Sequence, residues 1–403
     1  MACSGKPLLL RAAVILLAAM SFVVLAESGE DHVLTHKKSA TLSHSFVGML
    51  LKGGSKASFW PHCTATLISP DHVLTARHCV KYLHGFGLKV FFPFEGIREI
   101  AQDGISVFCE KSNDQCSKRI DDLAVITLSR PYTNLPMAKL RNLAGLDVSE
   151  EKIIVGFGLD DGSLSDNGIK REGRVVLNQC KKCTGIEIPL EAYSDNHRSL
   201  CFNYAIRESG QSELNVVGNQ HGDSGGPMLD TGIELHAIVG VAREVDWTCS
   251  DVNQREGQYV DLSSSNYRDW LSNVFCDPPC GAIPRDHVKK LLEIELAKLD
   301  HDDIQDDYQI NIQPGAKKLI VTMNHEVGGW DPEPSDLDVL LSMKAECTRY
   351  VGVEVCTVDK PVAGSHTVSV KRIHKQASYQ LAAVALYEKP SVIMVGHSAN
   401  GNE

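Results

Sequence analysis

Residues 218–229 read GNQHGDSGGPML, with two glycines around an Asp-Ser pair, then Gly226-Pro227, and apolar residues resuming at Met228. A segment this rich in glycine brings backbone N–H groups close to a ligand, because no Cβ holds the chain away. Ser224 is then either an activated nucleophile beside an anion site or one hydroxyl in a tight turn. The segments on either side decide between the two.

Those segments are short apolar runs broken by Gly, Asn, Asp and Pro: FVGMLL (46–51), CTATLISPDHVLTA (63–76), LKVFF (88–92), LAVITL (123–128), KIIVGFG (152–158), GRVVL (173–177) and IVGVA (238–242). Runs of this length at regular intervals predict an all-β sandwich or barrel from about Phe46 to Phe275. The period changes in NYRDWLSNVF (266–275), where Trp270, Leu271 and Val274 fall on one helical face, so a closing helix is expected. The segment CDPPCGAIPRDH (276–287), rich in proline and holding two cysteines, marks a boundary. Beyond it Val288, Leu291, Leu292, Glu295, Leu296 and Leu299 have helical spacing, which predicts an amphipathic linker helix ending in the acidic run DHDDIQDD (300–307). Strand patterns return from Tyr308 to Tyr387, enough for a small β-sandwich.

The start of the chain reads as a secretory signal. Lys6 and Arg11 precede an apolar run from Ala12 to Leu25, and Ala26, two residues after Val24, offers a cleavage site before Glu27. The run is short for a membrane span of about 20 apolar residues. Removing residues 1–26 takes away two cations and no acid, moving the formal net charge from -11 to -13. An acidic chain without a Lys/Arg stripe is not expected to bind nucleic acid, and no membrane span is expected after signal removal. Of 13 cysteines, Cys3 lies in the signal, and the even remainder in an exported chain reads as disulfides. Cys180 and Cys183 have metal-like spacing but no second pair near them, so no metal or cofactor is expected.

Cleaving an amide near neutral pH needs a nucleophile, a base to deprotonate it, and donors for the developing oxyanion. His78 follows a β-patterned run in LTARHCV, and Cys63 lies 16 residues before Cys79, so a bridge there would pin the histidine's loop. Asp122 in IDDLAVITL leads straight into an apolar strand, a costly place for a carboxylate without a partner, though Asp121 is the alternative acid. Ser224 completes a set in the order His, Asp, Ser, with the N–H groups of Gly222 and Ser224 as candidate oxyanion donors.

With these residues in view, the chain resembles the chymotrypsin-like (trypsin-fold) serine proteases over roughly residues 33–275. TARHC, DDLAVITL and GDSGGP resemble that family's histidine, aspartate and serine motifs. VGFG (155–158) resembles its glycine-rich strand, and GQYVDLSSSNYRDWL (257–271) its last strand and closing helix. The resemblance implies a mainly β fold of two six-stranded antiparallel β-barrels with the site between them. His78 would be the base, Asp122 its orienting acid and Ser224 the nucleophile of a secreted serine endopeptidase, with proteins or peptides as substrates. A catalytically idle homologue that binds a partner is the competing reading. The resemblance also makes Asp223 the partner of a new N-terminal ammonium after zymogen cleavage. No Ile-Val-Gly-Gly precedes His78, and cleavage before Val33 or after Lys37-Lys38 are the candidates.

Several positions depart from the family. Gly218 stands where trypsin-like enzymes carry the Asp that pairs with Lys or Arg, so tryptic cleavage is not expected. Arg243 and Glu244 replace the usual Ser-Trp wall, and Gly218, Arg243 and Gly257 are the candidate specificity pocket, where Arg243 either meets acidic side chains or points to solvent. Gln220 replaces a customary cysteine, which leaves Cys249 to pair elsewhere, with Cys180 or Cys183. Besides Cys63–Cys79, the expected bridges are Cys109–Cys116, Cys183–Cys201 and Cys347–Cys356.

The C-terminal stretch 308–387, with its Pro-Gly-Ala turn, Asp-Leu-Asp strand and Pro-x-x-Gly hairpin, resembles the bacterial pre-peptidase C-terminal domain. That resemblance implies attachment to a surface or substrate, secretion or stability. Asp331, Glu333, Asp336 and Asp338 could offer oxygen ligands to calcium, but a solvated acidic turn is the preferred reading. The expected organisation is a signal peptide (1–26), a candidate propeptide (27–38), a protease domain (39–276), a linker with its helix (277–307), a β-sandwich (308–390) and a tail (391–403).

Overall fold

The computed structural model describes residues 44–53, 59–81, 87–109, 122–140, 150–159, 167–177, 199–205, 221–231, 237–243, 254–274, 287–327 and 336–388, together with the backbone of 37–38. The expected signal peptide, most of the candidate propeptide and the expected tail lie outside them.

A two-residue strand β1 (Lys37–Lys38) precedes six antiparallel strands that close into a barrel: β2 (Val47–Gly53), β3 (Phe59–Ser69), β4 (His72–Thr75), β5 (Leu88–Phe92), β6 (Gly96–Val107) and β7 (Ala124–Leu128). Their order around the barrel is β2-β3-β4-β7-β6-β5. Most of these strands are apolar on both faces, and Val47, Met49, Leu67, Val73, Val90 and Val125 are all buried in one hydrophobic cluster. A single helical turn, α1 (His78–Lys81), leaves the end of β4.

The second expected barrel is a seven-stranded antiparallel sheet in the order β1-β9-β8-β11-β12-β13-β10. Its further strands are β8 (Glu151–Gly156), β9 (Arg171–Val176), β10 (Ser199–Ala205), β11 (Pro227–Asp230), β12 (Ile238–Ala242) and β13 (Gln254–Asp261). Among the described residues it stays open, with β1 and β10 at its edges, which corrects the expectation of a second closed six-strand barrel. The extra strand is the dibasic pair itself: Lys37 lies opposite Glu172 and Lys38 opposite Arg171, covering the edge of β9. Helix α2 (Ser265–Val274) follows β13 as expected, with Tyr267 and Leu271 buried and Trp270 and Val274 packed against the same core.

The expected linker helix is a strand. β14 (His287–Leu299) pairs antiparallel with β21 (Ala377–Tyr387), and its register shifts twice, between Lys290 and Leu292 and between Ile294 and Ala297. Each shift inserts a residue on one strand and moves later apolar positions out of step with a period of two. Two such insertions in 13 residues imitate the spacing of a helix face.

The other C-terminal strands are β15 (Gln305–Ile312), β16 (Ala316–His325), β17 (Leu337–Leu341), β18 (Glu346–Tyr350), β19 (Val353–Asp359) and β20 (Gly364–Arg372). They form a five-stranded sheet, β14-β21-β16-β19-β18, and a three-stranded sheet, β15-β20-β17. Strand β21 shows why its sequence is apolar on both faces. Tyr379, Leu381, Ala383 and Ala385 share a core with Ile310, Val339, Val368 and Val370 of the smaller sheet. Ala382, Val384 and Leu386 point the other way and, with Ile320, Val353 and Val355, join the hydrophobic cluster that takes in the first barrel. Each such Val, Leu or Ile side chain contributes up to about 1.5–3 kcal/mol when buried. The five-stranded sheet is therefore packed onto the first barrel rather than tethered beside it. The contact is extended by Phe59 against Tyr350 and by the Val351 N–H donating to the Phe59 carbonyl at 3.1 Å.

Candidate active site

Strand pairing brings His78 to Asp122. In the β4–β7 ladder Thr75 is opposite Ala124, so the residues just past the end of β4 meet those just before β7. Asp122 Oδ2 lies 2.8 Å from His78 Nδ1, and its Oδ1 accepts from the His78 backbone N–H at 2.9 Å. The carboxylate side chain is 4% exposed and the imidazole 33%. A buried carboxylate with two donors is a satisfied one. It also selects the tautomer with the proton on Nδ1 and leaves Nε2 as an acceptor. Asp121, the alternative acid, lies outside the described residues.

The Cys63–Cys79 bridge forms as expected and anchors α1 to β3. It also brings in Ser224: the Cys79 sulfur lies 3.6 Å from the Ser224 carbonyl oxygen, and the Thr64 N–H donates to that oxygen at 2.9 Å. The main chain of Ser224 is thus held beside the residues flanking His78, and Ser224 itself is partly exposed. Thr64 belongs to the candidate site as well, and motif reading missed it. Its hydroxyl donates to the Gly222 carbonyl at 2.8 Å and accepts from the Phe157 N–H at 3.0 Å, which ties the serine loop to both sheets. The only trace in the sequence is a polar residue inside the apolar run after Cys63.

The serine loop depends on close approach. Gly222 has φ +97°, a conformation that other residues adopt only with strain. Asp223 is buried, and its Oδ1 accepts from the Gly158 N–H at 2.8 Å. A Cβ on Gly156 would sit 2.0 Å from that oxygen, and one on Gly158 2.4 Å from the Asp223 carboxyl carbon. The glycines of VGFG are there because Asp223 occupies the space their side chains would take.

Of the candidate pocket residues, Gly218 lies outside the described residues. Gly257 is buried in β13 opposite Phe202 of β10. The Arg243 guanidinium donates through Nε to Gln258 Oε1 at 3.0 Å, next to Gly257. His62, hydrogen-bonded to the Cys79 backbone, is pushed down to about 4 by burial and by the Lys52 ammonium, so it is uncharged near neutral pH.

Cys347–Cys356 forms as expected. Cys109 and Cys201 are also disulfide-bonded, while their expected partners Cys116 and Cys183, like Cys180, Cys249, Cys276 and Cys280, lie outside the described residues. Among the described residues the two close groups of candidate metal ligands, Cys63-His78-Cys79 and Cys347-Glu354-Cys356, each contain a disulfide, whose sulfurs are not thiolate ligands. Asp331 and Glu333 lie outside the described residues, and Asp338 pairs with Arg349 at 3.2 Å. Among the described residues no helix is long and apolar enough to cross a membrane.

A comparison with protein families matches residues 35–271 to the family described as Trypsin. The chain belongs to the trypsin family. Its curated relatives include the snake venom serine protease KN14 of Trimeresurus stejnegeri, 27% identical over 218 residues that cover 52% of this chain and 76% of the relative. Brachyurin of Leptuca pugilator is 26% identical over 205 residues, covering 45% of this chain and 82% of the relative. The trypsin-family match ends within α2, before β14 begins. Membership makes the chain a serine-type endopeptidase, a hydrolase whose substrates are peptides or proteins.

Proposed function

We propose that this endopeptidase works through His78, Asp122 and Ser224 and an acyl-enzyme. The observation that carries the reading is the double hydrogen bond from His78 to the buried Asp122. With Nδ1 protonated and held, Nε2 takes the proton of the Ser224 hydroxyl as its oxygen attacks the substrate carbonyl carbon. Negative charge then moves to the carbonyl oxygen, where the N–H groups of Gly222 and Ser224 receive it. Collapse of the tetrahedral intermediate breaks the C–N bond, and the proton on Nε2 goes to the leaving amine. Water, deprotonated by the same imidazole, then frees the acyl group and restores Ser224.

The substrate preference in this reading is not tryptic, because glycine stands at position 218. Gly218, Gly257 and Arg243 line the primary pocket, with Asp223 holding the loop behind it. The apolar run before Glu27 supports export and removal of residues 1–26. The two C-terminal sheets read as an accessory β-sandwich like the pre-peptidase C-terminal domain, borne on the protease and available for attachment through its outer face.

Cleavage of a peptide library by the purified wild-type protein, with Ser224→Ala alongside, tests the proposal. Hydrolysis by the wild type alone, away from Lys and Arg, supports it. Equal turnover by Ser224→Ala would place the nucleophile elsewhere, and an inert wild type would leave a binding protein with a protease fold.

A further inference from the structure

The contact between the five-stranded C-terminal sheet and the first barrel is largely apolar. The same sheet also meets residues 167–171, which lead into β9 of the second sheet, and there the contact is polar and specific. Asn324 Nδ2 donates to the Gly168 carbonyl at 2.8 Å. Gln380 engages both main-chain groups of Lys170: its Oε1 accepts from the Lys170 N–H at 2.8 Å and its Nε2 donates to the Lys170 carbonyl at 2.9 Å. Asn324 and Gln380 are also bonded to each other at 2.8 Å, and both are buried. The Val327 N–H donates to the Asn167 carbonyl at 2.9 Å, making an antiparallel bridge between the two parts of the chain.

The other side of this segment faces the serine loop. A Cβ on Gly222 would lie 2.8 Å from Asn167 Oδ1, so Asn167 forms a wall of the loop. Arg171 is buried, and its Nη1 donates to the Gly158 carbonyl at 3.1 Å, while the Gly158 N–H holds Asp223. The Leu159 N–H donates to the His221 carbonyl at 2.9 Å, and the Gly168 N–H to the Phe157 carbonyl at 3.1 Å. Arg171 Nη2 is 3.9 Å from Glu326 Oε1, and Glu326 is itself fixed by the Ser378 N–H on its Oε2 at 2.8 Å. A continuous set of buried hydrogen bonds therefore runs from the C-terminal sheet, through residues 167–171 and Gly158, to the loop that carries Ser224.

We infer that the C-terminal sheet is a built-in brace for the oxyanion loop, with Asn324 and Gln380 as positioning residues that act through residues 167–171. The inference rests on the reading of Ser224 as nucleophile and of Gly222 and Ser224 as oxyanion donors. It gives the sheet a role in the reaction itself, beyond attachment. The loop is supported from this side whether or not cleavage upstream creates a new N-terminal ammonium for Asp223. Oxyanion donors contribute only when held in place before reaction, so slack in their support is read in turnover more than in binding.

The test uses the full-length protein carrying Asn324→Ala and Gln380→Ala together, with Val355→Ala, at the apolar part of the same contact, as the control for weakened docking. The double variant is expected to lower kcat by roughly 10- to 100-fold with KM unchanged, and to slow phosphonylation of Ser224 by a fluorophosphonate by the same factor. Val355→Ala lowers Tm and leaves kcat unchanged. Equal kcat loss in both variants, or loss of Tm without loss of kcat in the double variant, overturns the inference. A wild type that does not react at Ser224 overturns the underlying catalytic reading instead, and is seen before any variant is compared. If the double variant does not fold, hydrogen exchange in the wild type decides. The Gly158 and Leu159 amides should be as protected as those of Lys170 and Val327, and exchange at the rate of open amides would show that the brace does not hold them.

Discussion

The His78–Asp122 pair and the Gly222–Ser224 loop are supported in opposite ways. The pair is fixed inside one barrel, by two neighbouring strands, a disulfide and two direct hydrogen bonds. The loop has no strand of its own. It is held by Thr64 from the first barrel, by glycines that make room for Asp223, and by a chain of contacts reaching into the C-terminal sheet. The proposed base and its orienting acid are thus local products of one fold. Ser224 and the proposed oxyanion donors are where three parts of the molecule meet, so distant substitutions should act on that half of the site.

The largest effects are expected where chemistry is removed outright. Ser224→Ala should reduce kcat by about six orders of magnitude while Tm stays close to that of the wild type. Asp122→Asn should cost about four orders of magnitude, because an amide no longer enforces the Nδ1-protonated tautomer. Wild-type turnover in that variant would shift the role to Asp121. These two substitutions test the self-contained half of the site.

Gly158→Ala tests the other half at close range. Its Cβ would press on the Asp223 carboxyl group and displace the loop, with an expected loss of about 100-fold in kcat/KM while the Cys63–Cys79 bridge and the His78–Asp122 pair stay intact. Wild-type turnover by Gly158→Ala would show that the loop tolerates movement. The combined Asn324 and Gln380 substitution acts at longer range, with an equal or smaller effect.

The smallest effect concerns Lys170, whose side chain is buried in the segment that Gln380 grips. Burial lowers it to about 7 from an ordinary 10.5, against the opposing pull of Glu293 and Glu172. In the window from pH 7 to about 10 the unfolded chain therefore binds more protons at this residue than the folded one, so its penalty on stability fades as pH rises. Below pH 7 both states are protonated and the penalty is fully present. Tm of the wild type should climb across that window more steeply than Tm of Lys170→Met, and parallel curves would contradict the assignment.

The meeting of His78 and Asp122 was legible in the sequence because the motifs around the candidate site are short, local and chemically demanding. A charged residue leading into LAVITL has to meet a partner, and GDSGGP brings its own backbone geometry. Five of the six strands of the first barrel were legible for a similar reason, since each belongs to an apolar run ended by turn residues, whereas β6 carries polar residues and is half-exposed along most of its length. Strand β14 was not, because two register shifts disguised its period as that of a helix. The edge strand at Lys37–Lys38 escaped too, as nothing in a dibasic pair specifies pairing with β9. The brace was hidden most completely. Thr322, Asn324 and Gln380 alternate with apolar residues as solvent-facing positions do, yet all three are buried against the catalytic domain. Period-two patterning says which residues share a face, and it leaves open whether that face meets water or protein.

The central claim is that Ser224 is a nucleophile activated by His78 and Asp122. Treating the full-length protein with a fluorophosphonate and mapping the adduct by peptide mass spectrometry tests it most directly. The expected result is one phosphonyl group on Ser224, lost in Ser224→Ala and formed far more slowly in Asp122→Asn. An unmodified Ser224, under conditions that fully label a trypsin control, would contradict it.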